Sequence, residues 1–312
     1  MIHFVEKRRL YFSIAGILIL LSVAALVASA LIYGEALRIS IDFTGGSLFV
    51  LQFREPATEE AIRQVFTDQE YTGAIVQQLG SEEENLWQAR TRFATPDEVS
   101  AILDSLDTNV GNVDRGSSHV DTVEPSVGAE VAQKAGLAAL AASLVVLVFI
   151  WFSFRKIPHS FRYGIASSIA MLVNVIVAVG FYALMGILGG WEADALFLTA
   201  VLTVIGFSVQ DIIVVFDRIR ENTPRHRGEP FAMIVNRSLM ETVHRSIATQ
   251  LNAMFIMVAI LLFGGVTIKP FIAVMLVGMI SETFTSLCVA VPIIVMWEEH
   301  DQRKLAVAGA TA

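Results

Sequence analysis

Six apolar stretches, each long enough to cross a bilayer, constrain this chain more than anything else in it: roughly 11–33, 135–154, 163–187, 195–217, 246–264 and 271–297. A membrane-spanning helix needs about 20 mostly apolar residues. Backbone in lipid must satisfy its own hydrogen bonds, which restricts spans to helices and closed barrels. Runs of this length predict helices, so the chain reads as an α-helical polytopic membrane protein with six transmembrane helices. Only 17% of its residues are charged, against about 25% in soluble domains. The first stretch contains Ala28-Ser29-Ala30, a possible signal-peptidase site. The apolar run from Leu10 to Tyr33 nevertheless exceeds the roughly 7–15 residues of a signal h-region and reads as an anchor.

Charge then sets the expected orientation. Basic residues crowd the N-terminus (Lys7, Arg8, Arg9), the second short loop (Arg155, Lys156, Arg162), the fourth (Arg218, Arg220, Arg225, Arg227, Arg237) and the tail (Arg303, Lys304). The alternate short loops carry none (189–194) or one (Lys269). The positive-inside rule places both termini in the cytoplasm. The net charge of −8 is unevenly spread: residues 35–132 hold 18 Asp/Glu against 6 Lys/Arg, a balance of −12. That block falls on the outer side, away from the anionic inner leaflet. An acidic surface excludes a nucleic-acid partner. A single cysteine, Cys288, excludes an internal disulfide and a thiolate metal site.

The expected division is 1–34 for the cytoplasmic N-terminus and first helix, 35–132 for an extracytoplasmic domain, 133–297 for helices two to six, and 298–312 for a cytoplasmic tail. The loop 218–245 reads as a basic run followed by an amphipathic cytoplasmic helix. Within the acidic block, Ser47–Arg54 reads as a strand, and Thr58 to about Gln69 as a helix. Ala74–Leu79 and Leu86–Phe93 form two strands around an acidic turn. Thr95-Pro96-Asp97-Glu98 is a capping box opening a helix to about Leu106, and Ser117–Val123 is a last strand. The order βαββαβ predicts a ferredoxin-like α/β domain between helices one and two. No HExxH, phosphate-binding loop or Gly-rich dinucleotide turn is present.

Four stretches resemble the SecD/SecF family: Ser40-Ile41-Asp42-Phe43-Thr44-Gly45-Gly46, Pro125-Ser126-Val127-Gly128, the run from Ser208-Val209-Gln210-Asp211 to Asp217-Arg218-Ile219-Arg220-Glu221-Asn222, and Asn236-Arg237-Ser238-Leu239 followed by Thr242 and His244-Arg245-Ser246. The likeness covers nearly the whole chain. It implies a non-enzymatic accessory subunit of the Sec export machinery. Such a subunit would work with SecD and the SecYEG translocon and use the proton gradient, with no other cofactor, on unfolded preprotein emerging at the outer face. Membrane lipids complete the expected partners. The alternatives are half of an RND-like exporter of lipids or small molecules, a superfamily the SecD/SecF proteins resemble, and a passive assembly factor with no proton flux.

An acid inside a membrane is costly and usually marks a proton or ion pathway. Asp211 lies about six residues, or roughly 9 Å, from the inner end of helix four. Ser208 shares its face, and Gln210 lies in a neighbouring polar stripe. The resemblance assigns Asp211 to proton relay with Arg245 as its partner, the rival roles being a neutral structural Asp and a snorkelling Arg. Asn252, at similar depth, is a candidate cross-helix hydrogen-bonding group. Asp217 beside Arg218 reads as a structural pair, with Arg220 in the same motif, and Gly45 and Gly46 as a tight backbone turn after Asp42. Two positions depart from the family: Val173-Asn174 stand where many relatives have His-Asp, and Glu282-Thr283 where they have Gly-Thr. Glu282, about 16 Å in from the outer end of helix six, is therefore expected to be a relocated protonatable group that shares one interior polar cavity with Asn174 and Asp211, the alternative being a permanently protonated Glu hydrogen-bonded to a neighbouring helix.

Overall fold

The computed structural model describes residues 5–79, 85–154, 160–226 and 228–310, and six of its helices are long and apolar enough to cross a membrane. Its elements are α1 (Arg8–Tyr33), α2 (Ile41–Thr44), β1 (Gly46–Gln52), α3 (Glu59–Asp68), β2 (Ile75–Leu79), β3 (Leu86–Thr91), α4 (Pro96–Asn109) and β4 (His119–Val123). Five longer helical stretches follow: α5 (Pro125–Phe154), α6 (Ser160–Gly189), α7 (Ala195–Arg225), α8 (Phe231–Phe263) and α9 (Lys269–Thr285), the last running through one π-helical segment (Ser286–Ala290) into α10 (Val291–Ala310). The chain divides into two compact units: Leu37–Ala138 with Met185–Ala195, and the remainder.

The first unit is built on a four-stranded antiparallel sheet in the order β2-β3-β1-β4. Alternation along the strands puts Phe49 and Leu51 of β1 and Trp87 and Ala89 of β3 on one face, in register as Leu51↔Trp87 and Phe49↔Ala89. Ile62, Val65 and Phe66 of α3 and Ile102 and Leu106 of α4 cover that face, with Phe49 and Phe66 edge to face at 5.1 Å. Both helices start where the sequence provides caps. Thr58 accepts from the Ala61 N–H, and Thr95 and Glu98 form the reciprocal capping box. The Thr95 hydrogen bonds hold the Glu98 carboxyl below its usual range.

Two of the sequence motifs meet in this unit. Gly45 has φ +73° and Gly46 φ +130°, in the region that side chains disfavour. A Cβ on Gly45 would lie 2.5 Å from Pro125 Cα, and one on Gly128 would lie 2.6 Å from Gly45 N. The two Gly-containing motifs are therefore packed backbone against backbone, which leaves no room for any larger residue.

The second unit buries Tyr163, Ala166 and Ala170 of α6, Ile212, Val215, Phe216 and Ile219 of α7, Leu239 and Val243 of α8, and Val291, Ile294 and Val295 of α10 in one core. Tyr163 and Phe216 meet edge to face at 5.0 Å. The region 218–245 departs from the sequence reading. α7 runs unbroken to Arg225 and α8 begins at Phe231, so among the described residues there is no separate amphipathic helix. The polar residues expected to form it extend the two membrane helices instead. Their ends are knotted: Asn222 Nδ2 donates to Ser238 Oγ (3.0 Å) and Glu241 Oε2 (2.9 Å), and Arg218 bridges Glu221 and Glu241.

Candidate functional site

Buried polar side chains inside membrane helices need partners from other helices, since lipid offers none. Five such residues converge in the second unit. Asp211 (4% exposed) and Ser208 lie three residues apart on α7, one face of the helix. Glu282 lies on α9, Asn174 on α6 and Gln250 on α8, all buried. Gln250 Nε2 donates to Asp211 Oδ2 at 3.1 Å and to Glu282 Oε2 at 2.5 Å. A single side-chain amide, which has two N–H groups, thus serves both acids. Glu282 Oε1 is buried and has no hydrogen-bond partner among the described residues.

Asn174 extends the network. Its Nδ2 donates to Ser208 Oγ (2.9 Å), and its Oδ1 accepts from Ser281 Oγ and Thr285 Oγ1 (2.8 Å each). The residues on α9 fall at Ser281, Glu282 and Thr285, and the π-helical segment begins at the next residue, Ser286. Such segments insert an extra residue into a turn and recur at functional sites.

The structure places the other expected residues differently. Arg245 is exposed, and among the described residues its side chain makes no hydrogen bond or ion pair. Asp211 takes Gln250 instead. On α8 the five-residue step from Arg245 to Gln250 turns about 140°, so the two cannot share a face. Gln210 and Asn252 are likewise exposed; Gln210 is one residue, about 100°, round from Asp211, and Asn252 two, about 200°, round from Gln250. Asp217 pairs not with Arg218 but with Arg220 at 2.7 Å, as expected where residues three apart are neighbours and adjacent ones diverge. Asp42 Oδ2 accepts from the Ala195 N–H at 3.0 Å, at the first residue of α7.

Sequence reasoning passed over Gln250, Ser281 and Thr285. A signal for Gln250 was present: Thr242, Ser246 and Gln250 repeat every four residues along one face of α8, and all three are buried. Arg245 and Asn252 lie on the exposed side of α8, with Ile247, Leu251 and Phe255, and not on the buried polar face.

Residues 103–300 match the family model described as protein export membrane protein SecD/SecF, C-terminal. Protein translocase subunit SecF of Thermobaculum terrenum is 42% identical over 85% of this chain and 86% of its own length. That of Anaerolinea thermophila is 38% identical over 99% and 98%. The crystal structure of SecDF, a translocon-associated membrane protein from Thermus thermophilus, superposes with a TM-score of 0.79 at 26% identity, over 95% of this chain and 38% of that longer one. A matching model over more than half the chain and relatives of this identity over nearly its full length lead to one conclusion: this chain belongs to the SecD/SecF family of protein-export membrane proteins.

Proposed function

We propose that this protein is the proton-coupled accessory subunit that, with SecD, promotes late steps of preprotein movement through the SecYEG translocon. It does so without a covalent reaction and with protons as the only coupling species. The observation that carries this reading is the Asp211–Gln250–Glu282 arrangement inside the membrane helices. Two carboxylates aimed at one donor in a water-poor interior repel strongly, so the pair is suited to hold one proton at a time. One proton crossing 100 mV releases about 2.3 kcal/mol, within the roughly 1–3 kcal/mol typical of couplings between sites.

Arg245, Gln210 and Asn252 support a partner chain. Exposed polar groups within membrane helices are costly against lipid, and a second helical bundle bearing its own carboxylate for Arg245 would relieve that cost. In this reading both termini are cytoplasmic and the unit 37–138 is extracytoplasmic. Its strand order and two covering helices fit a ferredoxin-like plait, a surface for emerging preprotein. The rival is half of an RND-like lipid or small-molecule exporter.

Asp211→Asn keeps a hydrogen-bonding side chain and removes the proton site. The variant is expected to co-purify with SecD and the translocon while losing gradient-dependent stimulation of preprotein export in membrane vesicles. Wild-type stimulation would remove Asp211 from the relay, and failure of the wild-type chain to co-purify with the translocon would favour the exporter.

A further inference from the structure

The connector between α6 and α7 looks in the sequence like a bare membrane loop. In the structure Met185–Ala195 belongs to the same compact unit as Leu37–Ala138. Ile39 and Ala193 form a parallel β-bridge, with Ser40 N–H donating to Ala193 O (2.9 Å) and Ala193 N–H to Arg38 O (2.7 Å). The neighbouring Glu192 is gripped from two places: Arg38 Nη2 lies 2.9 Å from Oε1 and Arg90 Nη1 3.5 Å from Oε2. The Arg38 and Glu192 side chains are only 7% and 6% exposed. Arg38 also donates to Gln77 Oε1 (3.1 Å), and Arg90 to Ile39 O (2.7 Å) and Thr44 Oγ1 (2.8 Å). Gly190 sits at φ +68°, where a Cβ would come within 2.8 Å of Gln77 Oε1. Beyond it, Asp42 caps Ala195 N–H, and a carboxylate there also suits the positive end of the α7 dipole.

Buried ion pairs are poor devices for stability, because desolvation offsets most of their attraction. Burial holds the Glu192 carboxyl above its usual range despite the pull of Arg90 and Arg38. A connector needing only to turn the chain has no use for such a group, whereas a connector that must stay fixed to one body does. We propose that the α6–α7 connector is a latch that makes the start of α7 move with the α/β unit, with Glu192 and Asp42 as its positioning residues. The inference rests on the proton-coupled reading above, because α7 is also the helix of Asp211. It is unbroken from Ala195 to Arg225, and the sixteen residues from Ala195 to Asp211 span about 24 Å of stiff rod. A tilt of the α/β unit is thereby delivered to the helix bearing the acid, and a change at the acid is returned to the unit, since such coupling is reciprocal.

Two arms test this on the full chain in membranes or detergent. In the first, backbone hydrogen exchange is followed at Ala193 and Ala195. Both amides are expected to be protected like those of β1, and Glu192→Ala is expected to speed them by about tenfold or more while β1 is unchanged, because opening of a local unit is read directly by exchange. Gly190→Ala, which strains the connector backbone at φ +68° without stranding a charge, is expected to do the same. Fast exchange at both amides in the wild-type chain, or no change in either variant, overturns the latch. In the second arm Glu192→Ala is expected to cut gradient-dependent export stimulation, and a disulfide between Ile39→Cys and Ala193→Cys to restore it. Neighbouring strands lie about 4.8 Å apart, inside disulfide range. A disulfide that forms without restoring stimulation overturns the transmission role. If the wild-type chain shows no gradient-dependent stimulation at all, the proton-coupled reading fails, and with it the transmission role, while the exchange arm still judges the clamp.

Discussion

Asp211 of α7 and Glu282 of α9 accept hydrogen bonds from the same nitrogen, Gln250 Nε2, at 3.1 and 2.5 Å. Neither has another side-chain donor among the described residues, so Gln250 sets the spacing of the pair. Gln250→Leu keeps the volume and removes the donor. Stranding a buried acceptor costs about 1–3 kcal/mol, which a lowered midpoint for thermal unfolding in detergent would register. The variant is also expected to lose most gradient-dependent stimulation. A Gln250→Leu protein that exports like wild type would mean that the two acids do not act through their shared donor.

α1 and α6 approach each other closely where Gly180 faces Ser22. A Cβ on Gly180 would lie 2.5 Å from Ser22 Cα, which is backbone and cannot swing aside. Gly180→Ala is therefore expected to destabilise the helical unit by about 1–3 kcal/mol, the usual range for overpacking, even though alanine is the better helix former. Gly136→Ala, on a position with open space around it, is the control and should be neutral or slightly stabilising. Equal unfolding midpoints for the two variants would show that α1 and α6 do not pack this closely.

Orientation has its own test. Asn109 at the end of α4 and Arg225 at the end of α7 are both exposed, and Cys288, the one native thiol, is buried. Asn109→Cys is expected to react with a membrane-impermeant thiol reagent in intact cells, and Arg225→Cys only after the membrane is opened. Reversed labelling would place the acidic domain in the cytoplasm and end its proposed contact with emerging preprotein.

The helices and the strands of this chain were legible because each follows a short-range rule. Twenty apolar residues specify a span, alternation specifies Phe49-Val50-Leu51 as a strand, and Thr95-Pro96-Asp97-Glu98 specifies a helix start. The acids at 211 and 282 were legible for the same reason, since a carboxyl in an apolar run is conspicuous. What was not legible depends on rotation and on distant contacts. The family resemblance pairs Arg245 with Asp211, but the turn of α8 gives that place to Gln250. Nothing local in Glu192 announces Arg38 and Arg90, which lie about 150 and 100 residues earlier. The 218–245 region was misread because polar residues on helix extensions carry the same pattern as a surface helix.

The substitution that most sharply separates a titrating Glu282 from a structural one uses Asn174. The family likeness implies that relatives hold a carboxylate on the helix equivalent to α6, where this chain has Asn174. The structure joins the two positions: Asn174 bonds Ser281 and Thr285, on either side of Glu282 in α9, and Ser208 beside Asp211. Glu282→Gln keeps the shape and the Gln250 contact but removes the proton, so it is expected to impair gradient-dependent export at neutral pH. Glu282→Gly combined with Asn174→Asp moves the acid to α6. An aspartate at 174 can still accept from Ser281 and Thr285, and the Ser208 hydroxyl can rotate to donate to it. The double variant is therefore expected to regain a substantial part of the stimulation that Glu282→Gly alone loses. A purely structural Glu282 predicts another pattern. Glu282→Gln would then be nearly silent in export, and Glu282→Leu would cost about 0.6 kcal/mol of stability, the average for a hydrogen bond between membrane helices. That pattern, measured as export stimulation beside detergent unfolding midpoints, would leave Asp211 as the sole proton carrier of this chain.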